Sequence, residues 1–158
     1  MRISARADYA LRACVELTRA GERGCTSEAM AKAQDIPQAF LQNVLADMRR
    51  AGYVRSSVRR GGGYWLAVPA DRISVADVVR AMDGPLLRVH GVDPDELRYP
   101  ESTAAVAALW CAVRAGMTAL LEQVTLCDLV AGELPGLDPL DPLAADAVDE
   151  GCDGALTA

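Results

Sequence analysis

Apolar and polar residues in the first third of the chain recur with the period of short amphipathic helices. This period predicts helices over about 5–20, 27–33 and 37–50. Thr26 or Ser27 can cap the second helix, because a side-chain oxygen there accepts a hydrogen bond from a free backbone N–H. The first fifty residues are therefore predicted to form three short helices.

Two runs typical of β-strands come next, with the sequences YVRSSV and YWLAV. Residues 59–63 lie between them and are predicted to form the loop of a hairpin. Because side chains alternate between the two faces of a strand, we expect Tyr64 and Leu66 to point inward and attach the hairpin to the core.

Two capping boxes, at 74–77 and 125–128, predict short helices over about 75–82 and 126–131. Between them, residues 84–100 are rich in Gly, Pro and charge and are expected to form a loop.

The stretch 102–124 is nearly all apolar and predicts one long helix. At 1.5 Å per residue it would be a rod roughly 35 Å long. A helix this apolar is not stable facing water, so either the rest of the domain or a second copy of the chain must cover it. The side chains expected at a contact with a second copy are Val106, Leu109, Trp110, Val113, Met117, Leu120 and Val124.

Charge is divided unevenly along the chain. Residues 1–67 carry 11 Lys and Arg against 6 Asp and Glu, a net charge of +5. Residues 68–158 carry 5 against 16, a net charge of −11. A basic first half is typical of a segment that binds a polyanion, and the net charge of −6 for the whole chain conceals it.

The sequence predicts a cytoplasmic protein. The N-terminus carries charges throughout and lacks the continuous apolar segment of a signal peptide, and we expect the longest apolar run to be too interrupted by charge and Gly to span a bilayer. Five cysteines, none at C-x-x-C spacing, do not suit a disulfide framework. We expect reduced thiols, with Cys14 and Cys111 in the core.

Helix, short helix, turn, helix and hairpin is the order of a winged helix-turn-helix. In such a domain the third helix packs through one face and presents the start of the other to DNA bases. Gln38, Gln42 and Asn43 lie opposite the apolar face, and their amides can pair with adenine in the major groove. Arg49 and Arg50, at the far end, are expected to meet phosphate.

The hairpin tip, with the sequence RRGGG, combines charge with a free backbone. Its arginines suit a phosphate backbone or a minor groove, and its glycines permit positive φ and close approach. Outside the third helix, the residues expected to contact DNA are Arg2, Arg6, Arg59, Arg60, Gly62 and Gly63.

Other interpretations stay open from these residues. A glycine-rich hairpin with arginines can be an ordinary solvated turn, and polar residues on a helix can simply face solvent. A regulatory module whose main contact is another protein is one alternative. A thiol enzyme is another, but no nucleophile–base pair is visible in the sequence.

The segments FLQNVLADMRRAGYVRS, GGGY and ISVADVVRAMDG stand in an order that resembles the Rrf2 family of bacterial regulators. The resemblance covers residues 1–130. It implies a homodimeric transcription factor, usually a repressor, whose long helix crosses the partner's copy. The two DNA-binding domains of such a dimer, residues 1–83 of each chain and called the heads below, read a palindromic operator.

Members of that family that bind an iron–sulfur cluster carry three closely spaced cysteines before the long helix. Residues 83–100 contain none, and cluster ligation needs several thiolates at one site. The chain therefore resembles the branch without a cluster, which includes a cysteine metabolism repressor, and we expect no cofactor and no metal. An iron–sulfur or thiol-based redox sensor of the same family is the alternative.

Two residues are candidates for sensing an effector, either a small molecule or a protein. Cys25 precedes the second helix, whose N-terminus can lower a thiol pKa and favour oxidation, although an inert thiol beside a turn is the simpler interpretation. His90 lies in the loop where other members hold their sensor, but one imidazole alone is a poor metal site.

The predicted fold is mainly α with a small β-hairpin. Residues 1–83 form a winged helix-turn-helix DNA-binding domain, and 84–131 form an effector loop, a long dimerisation helix and a short last helix. Residues 132–158 are expected to be an acidic, flexible tail.

Overall fold

A computed structural model describes residues 3–57 and 62–135, and its elements follow the predicted order. Of the predicted DNA contacts, Arg2, Arg59 and Arg60 lie outside the described residues, as does the tail beyond residue 135. The helices and strands are α1 (Ala5–Ala20), α2 (Ser27–Gln34), α3 (Gln38–Arg50), β1 (Val54–Ser57), β2 (Gly63–Leu66), α4 (Val75–Asp83), α5 (Ala104–Gln123) and α6 (Leu126–Ala131).

Side-chain caps fix the starts of most of these helices. The hydroxyl of Thr26 accepts a hydrogen bond from the backbone N–H of Ala29 at 3.1 Å and so caps α2. Both predicted capping boxes are confirmed, at the starts of α4 and α6. The polar residues that precede the apolar periods therefore set where each helix begins.

Helix α1 is the centre of the core. It contacts α3, α4, α6 and β2, and Ala7, Ala10 and Ala13 on its buried face are at most 1% exposed. Side chains this small let the neighbouring helices approach closely, while Cys14 and Leu17 fill the remaining space on that face. The expectation that Cys14 is a core residue is confirmed.

Strands β1 and β2 form an antiparallel hairpin in which Val54 pairs with Leu66. Tyr64 and Leu66 pack against the core, as predicted. A second attachment comes from the turn before α2, where Cys25 and Tyr64 exchange two backbone hydrogen bonds of 3.0 and 2.8 Å. This hairpin, β1 and β2 with the loop between them, is the wing. Its base is held by both side-chain packing and backbone pairing.

After α5 the chain returns to the core. The N–H of Val75 donates to the carbonyl of Val124 at 2.9 Å, and the N–H of Leu126 donates to the carbonyl of Ile73 at 3.0 Å. Val124 and Leu126 are 2% and 0% exposed. These bonds anchor the end of α5 and the whole of α6 to the segment that precedes α4.

Three expectations about the second half of the chain are corrected. Val124 follows α5 and is buried in the chain's own core, so it does not belong to the outer stripe of the long helix. Cys111 is only half-buried, on the surface of α5, with its Sγ 3.4 Å from Oδ1 of Asp95. The apolar run is not too interrupted to span a bilayer by length and composition, because Glu101–Gln123 has a mean hydropathy of 1.7.

The turn between α1 and α2 provides a test of the packing that holds the wing. Gly24 has a φ of +66°, and a Cβ added there would lie 2.3 Å from the indole of Trp65. Gly24→Ala therefore combines backbone strain of about 1–3 kcal/mol with overpacking of about 1–3 kcal/mol. We expect urea unfolding to show the sum of the two as lost stability.

Gly21→Ala is the matched control, because Gly21 has a φ of +55° and no atom within 4 Å of an added Cβ. It should lose only the backbone contribution of about 1–3 kcal/mol. Equal losses in the two variants would contradict the contact with Trp65.

Candidate nucleic-acid interface

Helix α3 has one buried and one exposed face. Leu41, Val44 and Leu45 are 0% exposed and hold the helix against the core. Gln38, Gln42 and Asn43 are exposed on the other side, and none of their side chains has a hydrogen-bond partner in the described part of the chain. Their amide groups are free to donate to and accept from a ligand, which base-edge recognition requires.

The turn before α3 fixes the direction in which this face points. Asp35 adopts a left-handed conformation with φ of 51° and ends α2, which an Asp tolerates better than most residues. The N–H of Ile36 then donates to the carbonyl of Ala31 at 3.0 Å, and the Ile36 side chain is buried. At the start of α3, Phe40 meets Tyr9 of α1 edge to face, with ring centroids 5.4 Å apart.

Three arginines lie at the edges of this face, and each has a partner within the domain. Arg49 donates from Nη1 to the hydroxyl of Ser56 at 3.1 Å, which links the end of α3 to β1. Arg6 of α1 and Arg50 of α3 both pair with the carboxylate of Asp47. The pattern of the sequence indicated Arg6 and Arg50 as DNA contacts but missed Asp47, which lies among them on α3.

A groove of about 310 Å³ separates the start of α2 from the base of the wing. Polar groups and glycine dominate its lining, and Arg49 is the cation that faces it. Small polar groups around one cation fit a phosphate oxygen. The residues that line it are Thr26, Ser27, Arg49, Ser56, Ser57, Gly62, Gly63 and Tyr64.

The two described wing glycines, Gly62 and Gly63, both line this groove. Gly63 pairs with Ser57 in the hairpin, and a Cβ there would lie 3.0 Å from the carbonyl oxygen of Cys25. The missing side chain of Gly63 thus lets the wing pack onto the turn before α2. Gly62 lines the groove beside it.

Of the candidate sensors, Cys25 has surroundings that oppose activation. Burial raises the pKa of the Cys25 thiol, and the nearby carboxylate of Glu16 raises it further. Backbone hydrogen bonds at Thr26 and Met30 act in the opposite direction but do not overcome this. The net direction favours the inert thiol, which was the simpler of the two interpretations, over a thiol activated by the helix N-terminus.

His90 stands in a tight turn far along the chain from Cys25. It has a φ of 52° and is exposed, and the backbone of Val89 and Val92 pairs on either side of it. The structure places the two candidate sensors on separate elements and gives them no common site.

The described residues do not fit an iron–sulfur cluster or another metal centre. Within 3–57 and 62–135 there is no group of three His, Cys, Asp or Glu side chains that could hold a metal ion. The half-buried thiol of Cys111 lies beside Asp95, but Arg114 already pairs with the carboxylates of Asp93 and Asp95.

Helix α5 presents a second surface, which is apolar. No residue of α5 is buried, and Leu109 is 54% exposed while Val106 and Val113 are each 37% exposed. Trp110, Met117 and Leu120, also predicted for a contact with a second copy, are half-buried. Exposed apolar patches of this kind mark sites where a protein or a membrane binds.

Comparison with known proteins gives a consistent result over the head and the long helix. The family model described as Rrf2, an iron-dependent transcriptional regulator, matches residues 3–132. The HTH-type transcriptional regulator Rv1287 of Mycobacterium tuberculosis is 44% identical over 136 residues, which are 85% of this chain and 84% of the relative. The HTH-type transcriptional regulator CymR of Bacillus subtilis is 29% identical over 83% of this chain and 91% of its own length.

Solved structures agree with these sequence relatives. The structure of CymR, the global cysteine regulator of B. subtilis, is similar with a TM-score of 0.71 and 27% identity. The match covers 83% of this chain and 97% of that chain.

The surroundings of the thiols predict an order of alkylation by iodoacetamide. At about pH 7.5, below the ordinary thiol pKa of about 8.5, exposed Cys127 should react faster than Cys25. Cys14 should be protected until the protein unfolds, because burial raises its pKa to about 12. Peptide mass spectrometry after timed alkylation measures each site, and a rate for Cys25 above that of Cys127 would contradict its raised pKa.

Proposed function

The chain belongs to the Rrf2 family of DNA-binding transcriptional regulators, which are not enzymes, and on that premise we propose that it is a cytoplasmic, homodimeric repressor without an iron–sulfur cluster. It binds a palindromic operator through α3 and the wing. The observation that carries this proposal is the free amide face of α3, formed by Gln38, Gln42 and Asn43, next to a polar groove that contains a cation.

Contacts to bases and to phosphates come from different parts of the head. The three amides lie on the first two turns of α3, where a recognition helix meets base edges in the major groove. Arg49 faces the groove beside the wing, which supports a contact with the phosphate backbone, and the proposal adds Arg59 and Arg60 to the phosphate contacts on the basis of the sequence RRGGG. Phosphate contacts then set register and affinity, and the amides read sequence.

Dimerisation follows from the apolar surface of α5. A 20-residue helix is about 30 Å long, and burying its exposed Val and Leu side chains against a second copy removes them from water. The interface consists of Val106, Leu109, Trp110, Val113, Met117 and Leu120. Two heads related by a two-fold axis then match the two halves of a palindrome.

A membrane could also cover a helix of this length and hydropathy, but two features favour a second copy. The C-terminal end of α5 is attached to the core through Val124, and its middle is attached to the preceding loop through the pairing of Arg114 with Asp93 and Asp95. Arg114 would also lie near the centre of a bilayer, where a charge is costly.

We expect the repressor to release its operator when it binds an effector, without the use of an iron–sulfur cluster as the sensor. The described residues lack a set of metal ligands, and the prediction of a cluster-free protein is checked by an absorption spectrum of anaerobically purified protein. A brown sample, with visible absorption that bleaches on reduction, would favour the redox-sensing alternative.

DNA binding is tested with duplexes from the region upstream of the gene. Fluorescence anisotropy should show specific binding that weakens by about 10³–10⁵ between 50 and 200 mM salt, as for proteins with several phosphate contacts. Arg59→Ala/Arg60→Ala should weaken binding and reduce the slope of log K against log salt by about 0.9 for each lost phosphate contact.

The control is Arg88→Ala/Arg98→Ala, which removes the same charge from the loop that precedes α5. Its salt slope should equal that of the wild type. If the wild type binds no duplex at low salt, DNA binding by this chain is wrong and the protein-partner alternative replaces it.

Dimerisation is tested by Leu109→Glu/Val113→Glu. Two carboxylates in the exposed apolar surface of α5 should convert the dimer to a monomer, since a charge is not buried without a partner. Light scattering after gel filtration should change from twice the chain mass to the chain mass. Operator affinity should fall as well, because one head alone reads one half-site.

Val92→Glu is the matched control, because Val92 is 39% exposed but lies in the loop before α5. It should remain a dimer. A wild-type monomer that sediments with phospholipid vesicles would instead assign the apolar surface to a membrane.

A further inference from the structure

Helix α3 carries a carboxylate in the middle of the positive charge assigned to DNA binding. Asp47 binds Arg6 of α1 through Oδ2 and Arg50 of α3 through Oδ1, each time to Nη2 of the arginine. Both oxygens of the carboxylate are therefore engaged. One acidic residue holds two of the arginines that the sequence indicates as DNA contacts.

The exposures of the three side chains differ in a way that defines the roles. The Asp47 side chain is only 15% exposed, whereas those of Arg6 and Arg50 are 48% and 78% exposed. The carboxylate is therefore largely covered, and the two guanidinium groups paired with it are the more exposed members of the cluster. A phosphate that approaches from outside meets the two arginines first and must compete with Asp47 for them.

We propose that Asp47 limits the sequence-independent affinity of the head for DNA by holding Arg6 and Arg50 back from the phosphate backbone. The inference rests on the proposed DNA-binding function and adds a specificity-determining residue to it. In the free head, Asp47 lowers the net charge of this cluster to +1, whereas the two arginines alone would carry +2. Its two ion pairs also fix the direction of each guanidinium group. Non-specific binding to DNA depends on how many phosphates Lys and Arg neutralise, and the two ion pairs reduce the positive charge available for it.

The competition is balanced, because ion pairs with exposed arginines are weak in water. A phosphate of the operator, held in place by the base contacts, can therefore compete with Asp47 for an arginine. A phosphate in a non-specific complex, which no base contact holds in place, gains less free energy from the same arginine. The base contacts proposed for Gln38, Gln42 and Asn43 do not depend on Asp47. Removing the carboxylate thus increases non-specific binding more than binding to the operator.

The test is Asp47→Asn, which keeps the size of the side chain and removes its charge. Anisotropy is measured on a scrambled duplex and on the upstream duplex of equal length, from about 50 to about 200 mM salt. On the scrambled duplex we expect about tenfold tighter binding at low salt. The slope of log K against log salt should steepen by about 2–4, at about 0.9 per phosphate for two arginines in each of two heads.

The control for charge alone is Asp8→Asn. Asp8 lies on α1 and pairs with Arg12 at 3.4 Å, so this variant removes one carboxylate and loosens one ion pair in the same head. Its slope should stay within about 1 of the wild-type slope, corresponding to at most one phosphate contact. Circular dichroism and thermal unfolding establish that both variants are folded.

A double-mutant cycle shows whether Asp47 acts through the arginines. In an Arg6→Gln/Arg50→Gln background, Asp47→Asn should change the slope little, because the cations that it releases are gone. An equal gain in both backgrounds would mean that the carboxylate acts only by repelling DNA, and would overturn the proposal.

The remaining outcomes separate this inference from the proposed function. If the wild type binds DNA but Asp47→Asn leaves the slope unchanged, the inference alone is wrong. If Asp47→Asn weakens binding to both duplexes, the carboxylate positions the arginines on phosphate, and the inference is again overturned. If the wild type binds neither duplex at low salt, DNA binding itself fails and the inference fails with it.

Discussion

The hydrogen bonds that return the chain to its core after α5 determine the form of the whole molecule. Val75 bonds to Val124 and Leu126 bonds to Ile73, so the end of the long helix is fixed beside the start of α4. Helix α6 then packs against α1. With its end held by the head and none of its residues buried, α5 keeps its apolar surface available for a second copy.

The same core connects the surface of α5 with the exposed amide face of α3, formed by Gln38, Gln42 and Asn43. Helix α4 contacts α1, α3 and α5, and its side chains Val78 and Val79 are only 0% and 2% exposed. Close-packed helices transmit displacement because they have no free volume to absorb it. In the proposed dimer, the crossing of two α5 helices would therefore set the separation and direction of the two α3 helices.

The sequence allowed most of the fold to be predicted, because its signals are local. Capping residues such as Ser74 and Thr125 mark helix starts, and the apolar period marks the face of each helix that is buried. Val124 and Cys111 were assigned to the wrong surroundings, because a period cannot show where a helix stops or which side the rest of the chain covers. Asp47 was missed for a related reason: its partner Arg6 is 41 residues away in the sequence, and only the packing of α1 on α3 brings them together.

Positive charge in this head serves two opposed requirements. Arginine binds any phosphate, so each added arginine strengthens binding to all DNA, and a regulator is useful only if its operator competes with the rest of the genome. In this head Arg49 is held by Ser56, and Arg6 and Arg50 by Asp47, whereas the amides of Gln38, Gln42 and Asn43 are left without intramolecular partners in the described residues. Under the proposed function, the groups that would bind DNA of any sequence are restrained and those that would read sequence are free, an arrangement that favours discrimination over affinity.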